Sequence, residues 1–207
     1  MQCVQWWSAK FLKLLGLRVT SRGEPRAGAK LLVANHVSWL DILAINALQP
    51  ARFVSKSEVR GWPVIGWLVS ASGTLYIERG RPRDALRVVH RMAAALRAGD
   101  TVAIFPEGTT GDGHALLPFH ANLLQAAIST GTPVQAVALR YSDRAERVSS
   151  AAAYVGDMHL LQSLWSVARA EALAVHVDFA PAQATAHADR RALGQLLHAS
   201  IDAKLTA

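Results

Sequence analysis

Apolar and polar positions follow two alternating periods along most of the chain. Apolar runs at 31–35 (LLVAN), 101–105 (TVAIF), 133–141 (PVQAVALRY) and 172–179 (ALAVHVDF) have the length and composition of strands. Two shorter runs, 52–56 (RFVSK) and 74–78 (TLYIE), fit the same class. Between them the spacing turns helical. In 38–48 it runs through Trp39, Ile42, Leu43, Asn46 and Ala47. In 83–99 it sets Leu86, Val89, Ala93 and Leu96 on one face and Arg83, Arg87 and Arg91 on another, with Gly99 as the stop. Further helices are predicted over 120–131, closed by Gly131, and over roughly 187–205. Residues 59–72 are apolar but interrupted by two glycines and a proline, as in a broken helix, and the glycines and proline of 20–30 mark a loop. This alternation predicts a single α/β domain with a mixed, mostly parallel sheet and flanking helices.

Charge changes the picture at the N-terminus. The chain has 207 residues, a net charge of +7 and 51% hydrophobic residues, with a mean hydropathy of +0.18, greasy for a freely soluble protein. A basic balance calls for an anionic partner: nucleic acid, a membrane surface or a phosphorylated substrate. Lys10, Lys13, Arg18, Arg22, Arg26 and Lys30 face only Glu24 in the first 30 residues, so +5 of the +7 lies there. Within it, 4–19 (VQWWSAKFLKLLGLRV) interleaves two tryptophans, Phe11 and leucines with lysines. Such a helix suits the plane of an anionic membrane surface, with tryptophan at headgroup depth, and points away from nucleic acid. It falls short of the roughly 20 apolar residues a span requires. Its basic residues sit inside the apolar stretch and no small-residue cleavage site follows, so it does not read as a signal peptide. Residues 1–20 are therefore read as an amphipathic membrane-associating segment and 21–207 as the globular domain.

Candidate chemistry begins at 34–41 (ANHVSWLD). His36 and Asp41 are five apart, which on a helix turns them about 140° from each other and on a strand sends them to opposite sides. They meet only if the chain changes course between them. With Ser38 as N-cap, Asp41 falls at N3, in the manner of a capping box. The alternative is a catalytic pair, in which neutral imidazole takes a proton from a hydroxyl while the carboxylate fixes its tautomer. The chain has no Gly-x-Ser-x-Gly elbow, and its one cysteine, Cys3, lies in the apolar N-terminus, so a substrate hydroxyl is the expected nucleophile. A single cysteine also excludes a disulfide framework and a cysteine metal cluster. Arg79, Arg81 and Arg83 follow a predicted strand and suit a phosphate. The loop 104–113 (IFPEGTTGDG) adds Glu107, Gly108, Thr109, Thr110, Gly111 and Gly113, but lacks the Gly-Lys-Ser/Thr of a P-loop. His114 and His120 flank it; His90, His159, His176, His187 and His198 are read as structural or surface residues, since no His-Glu-x-x-His pattern occurs.

In their order these stretches resemble the glycerophospholipid acyltransferase family. The carrying blocks are NHVSWLD with His36 and Asp41, GTLYIER with Gly73, Tyr76, Ile77 and Arg79, FPEGT at 105–109, and the proline-led strand PVQAVALRY, together covering roughly 30–141. The resemblance implies a glycerol-3-phosphate acyltransferase-like fold with 21–207 as the acyltransferase domain. It implies acyl transfer from a thioester, acyl-CoA or acyl carrier protein, to a lysophospholipid hydroxyl, the sn-2 hydroxyl of 1-acylglycerol 3-phosphate, with His36 and Asp41 as catalytic dyad. Gly73, Arg79, Glu107, Gly108 and Thr109 are implied in acceptor binding, no metal or organic cofactor is implied, and the implied place is the cytoplasmic face of the inner membrane. The chain departs from the family at Thr110 and Gly111, where arginine then serine is frequent, and at FHAN, where Phe-Lys-x-Gly is frequent. EGTTGDG followed by LLPF also resembles the branch that acylates lyso-ornithine lipid. A non-catalytic membrane-binding protein is the alternative from another class.

Overall fold

A computed structural model describes residues 2–57, 61, 66, 73–77 and 82–206. Its strands are β1 (Arg18–Arg22), β2 (Lys30–Ala34), β3 (Arg52–Lys56), β4 (Leu75–Ile77), β5 (Thr101–Ile104), β6 (Val134–Ser142) and β7 (Ala174–Phe179). Its α-helices are α1 (Gln2–Leu14), α2 (Leu40–Leu48), α3 (Pro82–Arg97), α4 (Gln125–Thr130), α5 (Leu160–Arg169) and α6 (Arg190–Thr206), with a 3-10 turn at Ala121–Leu124 before α4. The strands form one sheet in the order β1-β7-β6-β2-β5-β3-β4. From β6 to β4 every pairing is parallel; β7 runs antiparallel to β6, and β1 is parallel to β7. This is the mixed, mostly parallel sheet expected from the alternation of elements.

The apolar runs are explained by burial on both faces. Along β2, Leu32 and Ala34 enter the core shared with α1, α2 and α5, while Leu31 and Val33 enter the core shared with α3, α4 and α6. In β6, Val137, Leu139 and Tyr141 face the first core and Val134, Ala136 and Ala138 the second. The parallel strands β2 and β5 therefore end side by side, and the chain leaving them builds the site.

Several expectations need correction. The helix read over 4–19 ends at Leu14, and β1 takes residues 18–22, including part of the stretch read as a loop. The 120–131 stretch is a 3-10 turn followed by α4, although Gly131 does close it, at φ 63°. In α3 the buried stripe is Val88, Met92, Ala93, Ala95 and Leu96, while Leu86 is exposed. The spacing 88, 92, 95 stays closer to one helix face than 86, 89, 93, 96, and both rows carry apolar residues. The broken helix at 59–72 lies outside the described residues, apart from Gly61 and Gly66.

Candidate active site

The C-terminal end of β2 is where the chain changes course. Asn35 closes the strand: its side-chain amide donates to the Leu139 carbonyl at 2.9 Å and its oxygen accepts from the Leu139 N–H at 2.7 Å, so β6 holds the exit from β2. The chain then turns through 36–39 and enters α2 at Leu40. Asp41 lies in the first turn of α2 and its carboxylate reaches back. Oδ2 accepts from His36 Nδ1 at 2.8 Å, from the Val37 N–H at 2.7 Å and from the Ser38 N–H at 2.9 Å. Oδ1 accepts from the Tyr141 hydroxyl at 2.7 Å. The five-residue interval is thus bridged by a bend, with the aspartate fully buried and the His36 side chain 20% exposed.

The bonding fixes the imidazole. With Nδ1–H donating to Asp41, the lone pair sits on Nε2. The ring lies flat against Phe105, with centroids 4.0 Å apart and planes 9° apart, and Phe105 in turn stacks near Phe53. Burial, and then the Asp41 charge beside it, push the Tyr141 phenol well above its ordinary range, so it remains a donor to the carboxylate. A buried carboxylate with four donors, adjoining a partly exposed imidazole whose second nitrogen is basic, can orient that imidazole and stabilise its protonated form.

Ser38 does not cap α2. Trp39 occupies the N-cap position without a side-chain bond, and the Ser38 hydroxyl is buried with no hydrogen-bond partner among the described residues. The Asp41 carboxylate makes one half of a capping box by accepting from the Ser38 N–H, but the other half is missing, because the Asp41 N–H goes to the Ser38 carbonyl at 3.1 Å and not to its hydroxyl.

The glycine loop leaves β5 beside this turn. Buried Glu107 accepts from the His36 backbone N–H at 2.7 Å on Oε1 and from the Leu117 N–H at 3.0 Å on Oε2. Gly111 donates its N–H to the His36 carbonyl at 2.8 Å. The loop therefore grips His36 by both its backbone groups. Gly108 holds φ 71° in the turn, a conformation that favours glycine. Thr109 is exposed on the same loop, and the Thr110 hydroxyl donates to the Tyr154 carbonyl. The amides of His36, Val37 and Ser38 are all engaged inside the protein, so none of them is available to an oxyanion.

The structure thus gathers His36, Asp41, Glu107, Gly108 and Thr109. Gly73 is not among them. It precedes β4 at the opposite end of the parallel strands, with φ 72°, its carbonyl accepting from Arg52 Nε at 3.0 Å. A Cβ there would lie 2.9 Å from that Nε, so the glycine serves a close turn. Arg79 and Arg81 lie outside the described residues, as does the Arg83 side chain. Asn35, Phe105 and Tyr141 are site residues that the reading by motif did not assign a role. Among the described residues, no group of three or more His, Cys, Asp or Glu side chains could hold a metal ion.

Burial raises the Glu107 carboxyl above its ordinary value, against the lowering effect of the two backbone bonds from Leu117 and His36. A carboxyl that binds its proton more tightly when folded loses stability as pH rises from its unfolded pKa through the raised folded value. Glu107→Gln is expected to flatten that fall in a denaturation series run upward from the ordinary carboxylate range. At neutral pH it should still destabilise by about 1–3 kcal/mol, because the amide offers one oxygen to two N–H donors. It should also lower turnover, since the His36 backbone loses a bond.

Comparison with known proteins places the chain in a family. A family model described as "Acyltransferase" matches residues 17–140. The chain is 42% identical over 175 residues to the lyso-ornithine lipid O-acyltransferase of Pseudomonas aeruginosa, covering 84% of this chain and 67% of that one. It is 38% identical over 190 residues to the 1-acyl-sn-glycerol-3-phosphate acyltransferase of Neisseria meningitidis serogroup B, covering 91% and 74%. Among solved structures, the 1-acyl-sn-glycerophosphate (LPA) acyltransferase PlsC of Thermotoga maritima matches with a TM-score of 0.74 over 99% of this chain and 78% of that one. At 18% identity that match establishes a shared fold.

Proposed function

The chain belongs to the acyltransferase family, and from that premise we propose that it moves a fatty acyl group from a thioester to the sn-2 hydroxyl of 1-acylglycerol 3-phosphate, giving phosphatidic acid. The donor is acyl-CoA or acyl carrier protein. The observation that carries the mechanism is the 2.8 Å bond between His36 Nδ1 and buried Asp41, which leaves Nε2 basic on a partly exposed ring. Nε2 takes the acceptor's hydroxyl proton, and the oxygen attacks the thioester carbonyl. As the tetrahedral intermediate collapses, the C–S bond breaks and the imidazolium returns the proton to the departing thiolate. No acyl-enzyme forms, and the reaction so written needs neither metal nor organic cofactor. Base catalysis of this kind contributes about 10²–10⁴ in rate, and holding both substrates in line supplies a further large share.

Among the described residues no helix is long and apolar enough to cross a membrane. Helix α1 presents exposed Trp6, Lys10, Lys13 and Leu14 and anchors its other side in the core through Leu12, which supports peripheral attachment to a membrane surface; the cytoplasmic face of the inner membrane is the proposed place.

A second acceptor, lyso-ornithine lipid, is favoured by Thr110 and Gly111 in the glycine loop and by the name of the 42%-identical relative. The test is lipid analysis after offering lysophosphatidic acid and lyso-ornithine lipid separately with one acyl donor. Faster conversion of the phosphorylated acceptor is expected; faster conversion of the ornithine lipid would move the assignment to the second reading. If phosphate is what the site grips, Arg79→Ala should raise the KM for lysophosphatidic acid about 10- to 100-fold, the worth of a charge-assisted bond, and leave the donor's KM nearly unchanged. An equal rise in both would contradict that role.

A further inference from the structure

Helices α1 and α5 lie on the same face of the sheet. Trp7 and Phe11 of α1, and Leu160, Leu164 and Val167 of α5, enter or pack against one core. Trp39 joins them, edge-on to Phe11 at 6.4 Å and donating its indole N–H to Ser163 Oγ at 3.0 Å. Their outer sides repeat one pattern at a spacing of four residues, which places each set along a single helix face. In α1 the row is Trp6, Lys10, Leu14, with Trp6 64% and Leu14 82% exposed and the Lys10 ammonium 5.9 Å from the Trp6 ring. In α5 it is Leu161, Trp165, Arg169, with Leu161 79% and Trp165 65% exposed and the Arg169 guanidinium 5.6 Å from the Trp165 ring.

Neither helix contains an acidic residue. A leucine and a tryptophan left in water forgo the gain of burial, and each row here puts a cation over its indole. That combination is matched by the boundary of an anionic bilayer, where tryptophan sits at headgroup depth and the cation meets phosphate. The chain just before α5 is also tied to the site: the Tyr154 N–H donates to the Val37 carbonyl at 2.9 Å, and the Tyr154 carbonyl accepts from Thr110. We propose that α5 is a second membrane contact, whose occupant is an anionic lipid surface, and that α1 and α5 together hold the rim of the His36 site against the bilayer. The role assigned to the rim rests on the reading that the acceptor is a membrane lysolipid; the contact itself does not.

The test is co-sedimentation of the full chain with vesicles of phosphatidylethanolamine and phosphatidylglycerol, beside vesicles of phosphatidylcholine alone. Leu161→Ser with Trp165→Ser is expected to weaken partition into the anionic vesicles at least about tenfold. Arg169→Gln should weaken it about fivefold, on anionic vesicles only. Both variants should retain wild-type transfer to acceptor dispersed in detergent micelles, which also reports that they fold. Unchanged partition of both variants would overturn the proposal, as would a wild-type dimer that the double variant splits while vesicle binding persists, since the face would then join two copies. A wild type inactive in micelles would refute the transferase reading and leave the vesicle result to decide α5. If the double variant does not fold, Arg169→Gln at its exposed position decides alone.

Discussion

His36→Ala is expected to lower kcat by at least about 10³-fold while the protein keeps its fold. The magnitude follows from comparing two losses. Removing a general base forfeits about 10²–10⁴ in rate, and in the proposed mechanism the same side chain also returns the proton to the leaving thiolate. On the structural side, the ring gives up its stack on Phe105, worth about 0.5–1.5 kcal/mol, and one hydrogen bond to Asp41. Asp41 still holds the amides of Val37 and Ser38 and the Tyr141 hydroxyl, so the bend between β2 and α2 survives. Circular dichroism and a melt, run beside the kinetics, should show a shift of a few degrees against a near-complete loss of turnover. Near-wild-type turnover would end the assignment of His36 as base.

Asp41 separates structure from chemistry through two substitutions. Asp41→Ala leaves two backbone N–H groups and the Tyr141 hydroxyl without an acceptor in a fully buried place. Each orphaned group costs about 1–3 kcal/mol, so a loss of about 3–5 kcal/mol is expected once the bend partly relaxes. That is a large part of the 5–15 kcal/mol typical of a domain. Asp41→Asn is different. The amide oxygen can occupy the Oδ2 position and still accept from His36, Val37 and Ser38, while the amide nitrogen donates to the Tyr141 oxygen. His36 and the two backbone donors keep their acceptor, the buried Tyr141 O–H alone loses its own, and the negative charge that would stabilise the imidazolium is gone. The expected result is a loss of about 1–3 kcal/mol in stability, less than for Asp41→Ala, with a kcat loss of about 10²–10⁴. A melting shift without a rate loss would reduce Asp41 to a structural staple of the α2 entrance.

The meeting of His36 and Asp41 is legible because it is local: the interval of five requires a bend, and an apolar run ending at Asn35 supplies one. The third partner of this contact is not legible. Tyr141 lies 100 residues from Asp41, and only the register of β6 beside β2 brings its hydroxyl to the carboxylate. Ser38 loses its expected capping role locally, because the Asp41 N–H bonds the Ser38 carbonyl and leaves the hydroxyl unused. Glu107 stands out in the glycine loop of the sequence, but its bond to the His36 amide depends on β2 and β5 being neighbours. The strand β1 is not legible because its residues are mostly exposed and polar; its pairing with β7 is made by main chain, with Thr20 Oγ1 adding a side-chain bond to His176 Nδ1 at 2.8 Å. Helix α5 escaped because apolar residues occupy both its inner and outer rows, which blurs the stripe that marks an ordinary surface helix. Gly73 shows the converse: its place in a motif suggested the site, whereas the turn before β4 put it at the far end of the sheet.

The central claim is that His36 activates a lipid hydroxyl that attacks the thioester directly. The most direct measurement quantifies released thiol and newly acylated lipid in the same reaction, for the wild type and His36→Ala, with donor and lysophosphatidic acid present. One thiol per diacylated lipid is expected from the wild type, and neither product above background from the variant. Equal yields from the two proteins would contradict the claim, as would thiol accompanied by free fatty acid in place of acylated lipid.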